Sequence, residues 1–292
     1  MVKGSIFSGS YYSSEEEVKI AKANLINIGF DEIEYFSLGK KYFTQWAGSP
    51  RERLDNFYKC WNSNSEIIFG MRGGSGISHF FQLINKEKIN KKKLFCGYSD
   101  LTLILLYLNQ DLGLISLHGP NSLKELDKKS ISALKEAIQM KNYGINFKKT
   151  QTFYFVRNII IGTTIGGNLT RIIEYLVHRK IDFNKKVVFI EDTHITKEQL
   201  IGYCFHLVNY NSFKPSAILV GDLGIKLTNN LKNQLKEIFK NIPIIFELPF
   251  GHVTPNITIP LGVKAILDLQ NEKLTFIFPE SEKSYAVKLE DN

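Results

Sequence analysis

Short apolar runs alternate with amphipathic stretches along the first half of the chain, a pattern that predicts strands alternating with helices. The first apolar run covers residues 5–7, and an amphipathic stretch follows over residues 15–28. Ser14 and Glu17 have the spacing of a capping box before this stretch, and Gly29 is a typical stop signal after it. The chain is therefore predicted to begin with a strand followed by a helix.

The same alternation continues to about residue 100. Ser49 and Pro50 are a capping residue and a first-turn proline, so a second helix is predicted over residues 51–60. An apolar run at residues 66–69, a glycine-rich loop, a further helix and an apolar run at residues 93–96 follow. Because parallel strands are usually joined by crossover helices, this order predicts a doubly wound parallel sheet.

The second half of the chain is richer in strand signals. Residues 121–150 are polar and lysine-rich around one predicted helix at 130–140, which is typical of a connecting region. We therefore predict an α/β protein with an N-terminal doubly wound parallel-sheet domain (1–122), a connecting region (123–150) and a smaller, β-rich C-terminal α/β domain (151–292). The C-terminal domain is predicted to contain strands at residues 152–156, 187–190, 217–220 and 244–246 and helices near Leu169, Glu198 and Leu231.

Composition excludes several classes of protein. The 292 residues are 43% hydrophobic, which is enough for a packed core, but no apolar run reaches membrane-spanning length and no signal peptide is recognisable. We therefore predict a cytoplasmic protein without a membrane partner. Cys60, Cys96 and Cys204 lie far apart, which argues against both a disulfide framework and a zinc cluster and favours buried thiols.

The net charge of +8 comes largely from lysines spread along the chain. Runs such as residues 91–93 stand beside apolar segments, where lysines usually form solvated strand edges, so nucleic acid is not predicted as a partner. A basic surface also suits a small acidic substrate.

Ser99 is the first candidate for chemistry. It follows one apolar run and precedes another that is long enough for a buried helix, so it is predicted to lie in a strand-to-helix turn. Such a turn exposes the hydroxyl and directs helix N-terminal amides at a developing oxyanion. The G-x-S-x-G pattern is incomplete because Leu101 replaces the second glycine, and Asp100 is also a possible helix cap. A nucleophile and a structural turn both remain open on this evidence.

The glycine-rich loop at residues 71–76 occupies the usual position of a phosphate-binding loop. His79 stands in place of the third dinucleotide-binding glycine and no P-loop lysine is present, so a nucleotide site is disfavoured. The amide of Gly74 is a candidate for an oxyanion hole facing Ser99, with a simple tight turn as the alternative.

Two further segments supply acids and bases. Glu191 and Asp192 directly follow a predicted strand, where one carboxylate can orient a histidine or merely cap the next loop. His194 suggests a metal, but no second ligand stands at helical spacing and no metal is predicted. His252 lies in a loop after the last predicted strand, a common place for a catalytic base, and His118 is a candidate for the lining of the same site.

Taken together, these residues resemble the LD-carboxypeptidase family, which includes the microcin C immunity peptidases. Each matching block is weak alone, but their order along nearly the whole chain is specific. The blocks are AGSPRER at 47–53, RGG at 72–74, GYSDLT at 97–102, HGP at 118–120, GGNL at 166–169, IED at 190–192 and GHVTPN at 251–256.

The resemblance implies that Ser99 is the nucleophile, His252 the general base and Glu191 the carboxylate that orients the imidazole. It implies an oxyanion hole formed by the amides of Gly74 and Asp100, and a site assembled where the two domains meet. It also implies that no metal or other cofactor is needed and that the protein forms a homodimer.

Some positions depart from the family pattern. Ser75 replaces an aromatic residue, Asn121 replaces a methionine after His-Gly-Pro, residues 7–10 lack a proline–serine pair, and residues 178–179 replace a glycine–threonine pair. These departures concern substrate preference and leave the three catalytic positions intact.

Three functions are compared. The first is hydrolysis of the bond between an L-centre diamino acid and terminal D-alanine in murein tetrapeptide, a step of peptidoglycan recycling, with Arg72 as the candidate cation for the substrate carboxylate. The second is cleavage of an aminoacyl-nucleotide antibiotic of the microcin C kind. Relatives with that activity tend to be longer and to carry an aromatic loop, whereas tryptophan occurs here only at Trp46 and Trp61. The third is a binding protein without turnover, which the intact catalytic positions disfavour. The first is the predicted function.

Overall fold

Strands and helices alternate along the chain, as the apolar pattern predicts. The computed structural model describes residues 1–37, 39–148, 152–153 and 158–289. Its first half contains β1 (Lys3–Phe7), α1 (Glu15–Ile28), β2 (Glu32–Tyr35), β3 (Lys41–Tyr42), β4 (Trp46–Ala47), α2 (Pro50–Asn62), β5 (Ile67–Gly70), β6 (Leu94–Gly97), α3 (Thr102–Gln110), β7 (Ser116–His118), α4 (Lys128–Ile138) and β8 (Tyr143–Asn146). Its second half contains β9 (Thr152–Phe153), β10 (Ile159–Asn168), α5 (Leu169–His178), β11 (Lys186–Glu191), α6 (Lys197–Val208), β12 (Ala217–Val220), α7 (Asn229–Ile238), β13 (Ile244–Ile245), β14 (Ile259–Leu261), β15 (Lys264–Asp268) and β16 (Lys273–Ile277).

The first sheet has the strand order β14-β7-β6-β5-β1-β2. Strands β1, β2, β5, β6 and β7 are parallel, so the predicted doubly wound parallel sheet is confirmed. The order reverses between β1 and β5, and ligands of open α/β sheets bind at the carboxyl ends of the strands near such a point. The loops that follow β1, β5, β6 and β7 all leave the sheet at this edge.

The second sheet has the strand order β8-β16-β15-β10-β11-β12-β13-β9. Strands β10 to β13 are parallel, and antiparallel strands lie on both sides of them. The α/β architecture with a separate C-terminal domain is therefore confirmed. The predicted strand at residues 152–156 is observed at Thr152–Phe153, and residues 154–156 lie outside the described residues. The exact domain boundaries stay a prediction.

One strand of the second half crosses back to the first sheet. Strand β14 pairs antiparallel with β7, with Ile259 opposite His118. The loop between β13 and β14, which carries His252, thus runs from the second sheet to the first. This crossing brings the histidine to the carboxyl edge of the N-terminal sheet.

The first two helices begin where the sequence signals predict. Ser14 and Glu17 form a reciprocal capping box at α1, and Gly29 ends the helix with a φ of 117°. Ser49 and Glu52 form a second capping box at α2, which has its proline in the first turn.

The prediction of a helix after the glycine-rich loop is wrong. This segment forms only short 3₁₀ turns, because Phe80 has a φ of −145°, outside the helical region. The Phe80 ring packs edge-on against Phe7, with centroids 6.5 Å apart, and beneath the guanidinium of Arg53 at 5.5 Å. We attribute the break to these tertiary contacts, which outweigh the weak local preference for a helix.

The three cysteines are free and buried, as predicted. Burial raises the pKa of Cys60 to about 12, so this thiol is protonated and inert at neutral pH. Among the described residues, no helix combines the length and the apolar character that crossing a bilayer requires.

Candidate active site

Ser99 lies in a strained turn between β6 and α3, which confirms the predicted strand-to-helix turn. Strand β6 ends at Gly97, and Ser99–Leu101 form one 3₁₀ turn before the helix begins. Ser99 has a φ of 63°, a left-handed conformation that costs a non-glycine residue about 1–2 kcal/mol. Strain of this kind persists where the surrounding structure holds a functional group in place.

The glycine-rich loop approaches Ser99 closely. A Cβ atom added to Gly73 would lie 3.0 Å from both Cβ and Oγ of Ser99, so only glycine leaves the hydroxyl uncrowded. The buried guanidinium of Arg53 holds this loop by donating hydrogen bonds to the carbonyls of Gly76 (2.9 Å) and Gly9 (3.0 Å). The sequence did not single out Arg53, although buried arginines are rare enough to attract attention once burial is known.

We expect Gly73→Ala to slow the reaction of Ser99 with a serine-directed fluorophosphonate by about 10- to 100-fold, because ångström-scale displacement of a reacting group has effects of this size. The second-order labelling rate measures the effect. Gly202→Ala is the matched control, since a Cβ at Gly202 meets no atom within 4 Å. Equal labelling rates for the Gly73 variant and the wild type would contradict the close packing described here.

Glu191 and His252 form a hydrogen bond. Strand β11 ends at Glu191, whose Oε2 lies 3.0 Å from Nδ1 of His252. This contact leaves Nε2 of the imidazole free for a second partner. The Tyr98 ring packs against the imidazole with centroids 4.7 Å apart. Ser99 and His252 line the same cavity, and among the described residues no hydrogen bond joins Oγ to the ring. Hydrogen bonds of this kind are often long before substrate binds.

A second histidine contacts the other oxygen of the same carboxylate. Nε2 of His118 lies 3.4 Å from Oε1 of Glu191, and both side chains are fully buried. His118 therefore lies beneath Glu191 and does not line the cavity, so direct contact with substrate does not fit its position. It braces the carboxylate instead, which the sequence pattern alone did not indicate.

The two histidines keep Glu191 ionised. Burial raises the pKa of Glu191, but the hydrogen bonds and charges of His118 and His252 outweigh burial and bring it to about 2. The carboxylate is therefore charged at neutral pH. A permanent negative charge beside Nδ1 favours a proton on that nitrogen.

Asp100 does not cap its own helix. Its buried side chain accepts hydrogen bonds from Ser10 Oγ (2.7 Å) and the amide of Ile77 (3.1 Å), and it forms an ion pair with Arg171 at 3.3 Å. Burial raises its pKa although the charge of Arg171 acts in the opposite direction. The side chain thus ties three segments together beneath Ser99, while its backbone amide lies in the first turn after the serine.

Asp192 fixes the start of α5. Its Oδ1 accepts a hydrogen bond from Asn168 Nδ2 (3.0 Å), and its Oδ2 accepts hydrogen bonds from the amide (2.9 Å) and hydroxyl (2.7 Å) of Thr170. Asn168 in turn caps α5 by accepting from the amide of Arg171. Of the two adjacent carboxylates, Glu191 therefore contacts His252, and Asp192 holds the start of α5.

Ser99, His252 and Asp192 line a cavity of about 790 Å³ at the carboxyl ends of the strands. Arg72, the predicted carboxylate ligand, reaches its wall, but the guanidinium is paired with Glu17 at 2.8 Å. Within the described ranges, no group of three or more His, Cys, Asp or Glu could hold a metal ion. The lining also includes Tyr11, Gly74, Ser75, Asn121, Lys124, His194, Gln199 and Tyr203.

Two family models match most of the chain. The model described as "LD-carboxypeptidase N-terminal domain" matches residues 5–119, and the one described as "LD-carboxypeptidase C-terminal domain" matches residues 161–267. A Rickettsia prowazekii protein named "Putative carboxypeptidase RP402" is 29% identical over 65% of this chain and 64% of its own length, so the match spans just under two thirds of that relative. A Bacillus subtilis protein named "Probable murein peptide carboxypeptidase" is 25% identical over 76% of this chain and 75% of its own length.

Solved structures share the fold. The muramoyltetrapeptide carboxypeptidase from Oxalobacter formigenes superposes with a TM-score of 0.79 at 21% identity. The match covers 94% of this chain and 98% of the carboxypeptidase chain. The structure of MccF in complex with glutamyl sulfamoyl guanosine superposes with a TM-score of 0.81 at 20% identity. The match covers 95% of this chain and 96% of the MccF chain. At this level of identity, the likeness concerns the fold alone.

Proposed function

Because the chain belongs to the LD-carboxypeptidase family, we propose that it is a serine peptidase that releases terminal D-alanine from murein tetrapeptide. The observation that carries the proposal is the hydrogen bond between Glu191 and His252 in the cavity that Ser99 also lines. A nucleophile on a strained turn, an imidazole and an orienting carboxylate are the three parts that acyl transfer through a serine requires.

In the proposed reaction, Ser99 Oγ attacks the scissile carbonyl carbon while Nε2 of His252 takes the hydroxyl proton. The tetrahedral intermediate collapses, the carbon–nitrogen bond breaks, and His252 gives its proton to the leaving amine. Water then attacks the acyl-enzyme, His252 takes a proton from the water, and that proton returns to Ser99 Oγ as the acid product leaves. Throughout these steps, ionised Glu191 stabilises the imidazolium.

The oxyanion of the intermediate is assigned to two backbone amides. The amide of Asp100 lies in the turn that begins at Ser99, where the first amides of a helix have no intrahelical partner. The amide of Gly74 belongs to the loop that packs against the serine. Losing one oxyanion donor typically lowers kcat by about 10²- to 10³-fold, so these two donors are a major part of the proposed mechanism.

A second substrate class uses the same chemistry. The cavity is large enough for more than a peptide end, and its wall carries Tyr11 and Tyr203, whose rings offer faces for a nucleotide base. MccF, a fold neighbour, is described in complex with glutamyl sulfamoyl guanosine. Cleavage of an aminoacyl-nucleotide antibiotic is therefore the second candidate.

Mass spectrometry of the products separates the candidates. Murein tetrapeptide and a microcin C analogue are each incubated with the wild type and with Ser99→Ala. We expect the wild type alone to release D-alanine from the tetrapeptide. Cleavage of the antibiotic alone would transfer the assignment to the second candidate. If neither substrate is cleaved, the chain is a binding protein for these ligands or acts on another peptide, and the proposed function is rejected.

A further inference from the structure

We infer that the ammonium group of Lys124 binds the free carboxylate of the substrate's C-terminal residue. The inference rests on the proposed function and names the group that makes the enzyme an exopeptidase. Lys124 lies in the segment after β7 and lines the cavity that contains Ser99 and His252.

Lys124 lies close to the segment that contains the proposed catalytic base. Its Nζ donates a hydrogen bond to the carbonyl oxygen of Val253 at 3.2 Å, and Val253 directly follows His252. His252 must protonate the leaving nitrogen, so that nitrogen lies within hydrogen-bond reach of the imidazole. In a C-terminal residue the carboxylate is only two covalent bonds from this nitrogen. The substrate carboxylate therefore lies on the side of the cavity where the ammonium of Lys124 is held.

Lys124 also differs from the other cationic side chains of the cavity in its charge partners. Among the lysine and arginine side chains that line the cavity, Arg72 is paired with Glu17 and Arg171 is paired with Asp100. In the described part of the chain, no carboxylate lies within 4.0 Å of Lys124 Nζ, and its one hydrogen bond goes to a neutral carbonyl. An ammonium group has three donors, so donors remain for a ligand.

The two acids whose charges act on Lys124 already accept hydrogen bonds. Asp127 accepts hydrogen bonds from the amide of Lys129 and from the amide and hydroxyl of Ser130 at the start of α4. Asp222 accepts a hydrogen bond from the amide of Gly224. Burial lowers the pKa of Lys124 although both acids act in the opposite direction. A partly desolvated cation without a close counter-ion gains from binding an anion.

The existing partners of Arg72 disfavour it as the ligand of the substrate carboxylate. Binding through Arg72 would require the substrate to share a guanidinium that Glu17 and the carbonyl of Tyr12 already contact. The negative side chain of Glu17 at 2.8 Å would also repel an incoming carboxylate. Lys124 has neither of these competitors.

The test compares tetrapeptide with a free C-terminal carboxylate and the same tetrapeptide with a C-terminal amide. Turnover is measured with the wild type, Lys124→Met, Lys124→Arg and Arg72→Met, and dissociation constants are measured in the Ser99→Ala background. We expect the wild type to prefer the acid by about 10- to 100-fold, mainly through KM and Kd, the range for a charge-assisted hydrogen bond. We expect Lys124→Met to reduce this preference to about one, and Lys124→Arg to restore part of it.

Lys129→Met is the control for loss of one positive charge, because Lys129 is exposed and does not line the cavity. An unchanged acid preference in Lys124→Met, or loss of the preference in Arg72→Met instead, would overturn the inference. Absence of tetrapeptide binding would overturn it as well. If the acid preference in binding depends on Lys124 but no wild-type turnover occurs, the inference stands and the proposed reaction fails.

Discussion

Replacing Ser99 by alanine should lower kcat for tetrapeptide hydrolysis by about 10⁴-fold or more, because a serine peptidase without its nucleophile retains only binding and oxyanion stabilisation. Three observations support the proposed role of the hydroxyl: the strained turn at Ser99, the close approach of Gly73 and the cavity that Ser99 shares with His252. Release of D-alanine under single-turnover conditions measures the loss. Residual activity within tenfold of the wild type would show that Ser99 is not the nucleophile.

A comparison with Ser99→Gly separates chemistry from conformation. Both variants lack the hydroxyl and should be inactive, but Ser99 has a φ of 63°, which glycine adopts without steric strain. We expect the glycine variant to have a free energy of unfolding about 1 kcal/mol greater than that of the alanine variant. Chemical denaturation measures this difference. Equal stability of the two variants would argue against the strained turn while leaving the role of the hydroxyl intact.

Glu191→Gln should lower kcat by about 10³- to 10⁴-fold, the range known for a triad carboxylate changed to its amide. Both oxygens of Glu191 face a histidine nitrogen. A carboxamide offers one oxygen and one NH₂ group, so one of the two imidazoles must present an unprotonated nitrogen. If that imidazole is His252, its proton moves to Nε2, and the ring is unable to accept the proton of Ser99.

A matched control and a stability measurement distinguish this effect from simple damage. Glu198→Gln changes an exposed glutamate of α6 in the same way and should leave kcat unchanged. For Glu191→Gln, chemical denaturation reports any loss of stability separately from the loss of turnover. A variant that keeps wild-type kcat would exclude Glu191 as the orienting carboxylate. A variant that unfolds would be replaced by Glu191→Asp, which keeps the charge at a shorter reach.

Local signals in the sequence predicted several of the helices and strands of both sheets. The capping boxes at Ser14 and Ser49 predicted the starts of α1 and α2, because the groups that satisfy free helix amides stand within three residues of one another. The apolar runs predicted β5, β6, β11 and β12 to within one or two residues, since buried parallel strands are apolar on both faces. Alternation of strand and helix then predicted the parallel sheet.

The sequence failed where contacts between distant segments decide the structure. A helix was predicted after the glycine-rich loop, but the segment bends at Phe80, which packs between Phe7 and Arg53. His118 was a candidate for the cavity wall, but β7 pairs with β14 and His118 lies beneath Glu191. Periodicity carries no information about which buried strand lies beside another when the two are separated by more than a hundred residues.

The sequence by itself determined the α/β class and the strand-to-helix turn at Ser99, and through family resemblance it predicted Ser99, Glu191 and His252 as a catalytic set. Each of these depends on neighbouring residues or on the order of motifs, which a linear chain records. Only the tertiary structure decided that His118 shares the carboxylate of Glu191 and that Arg72 is neutralised while Lys124 is not. Electrostatic pairing depends on distances between segments that are far apart in the sequence, and a linear chain does not record which of these segments meet.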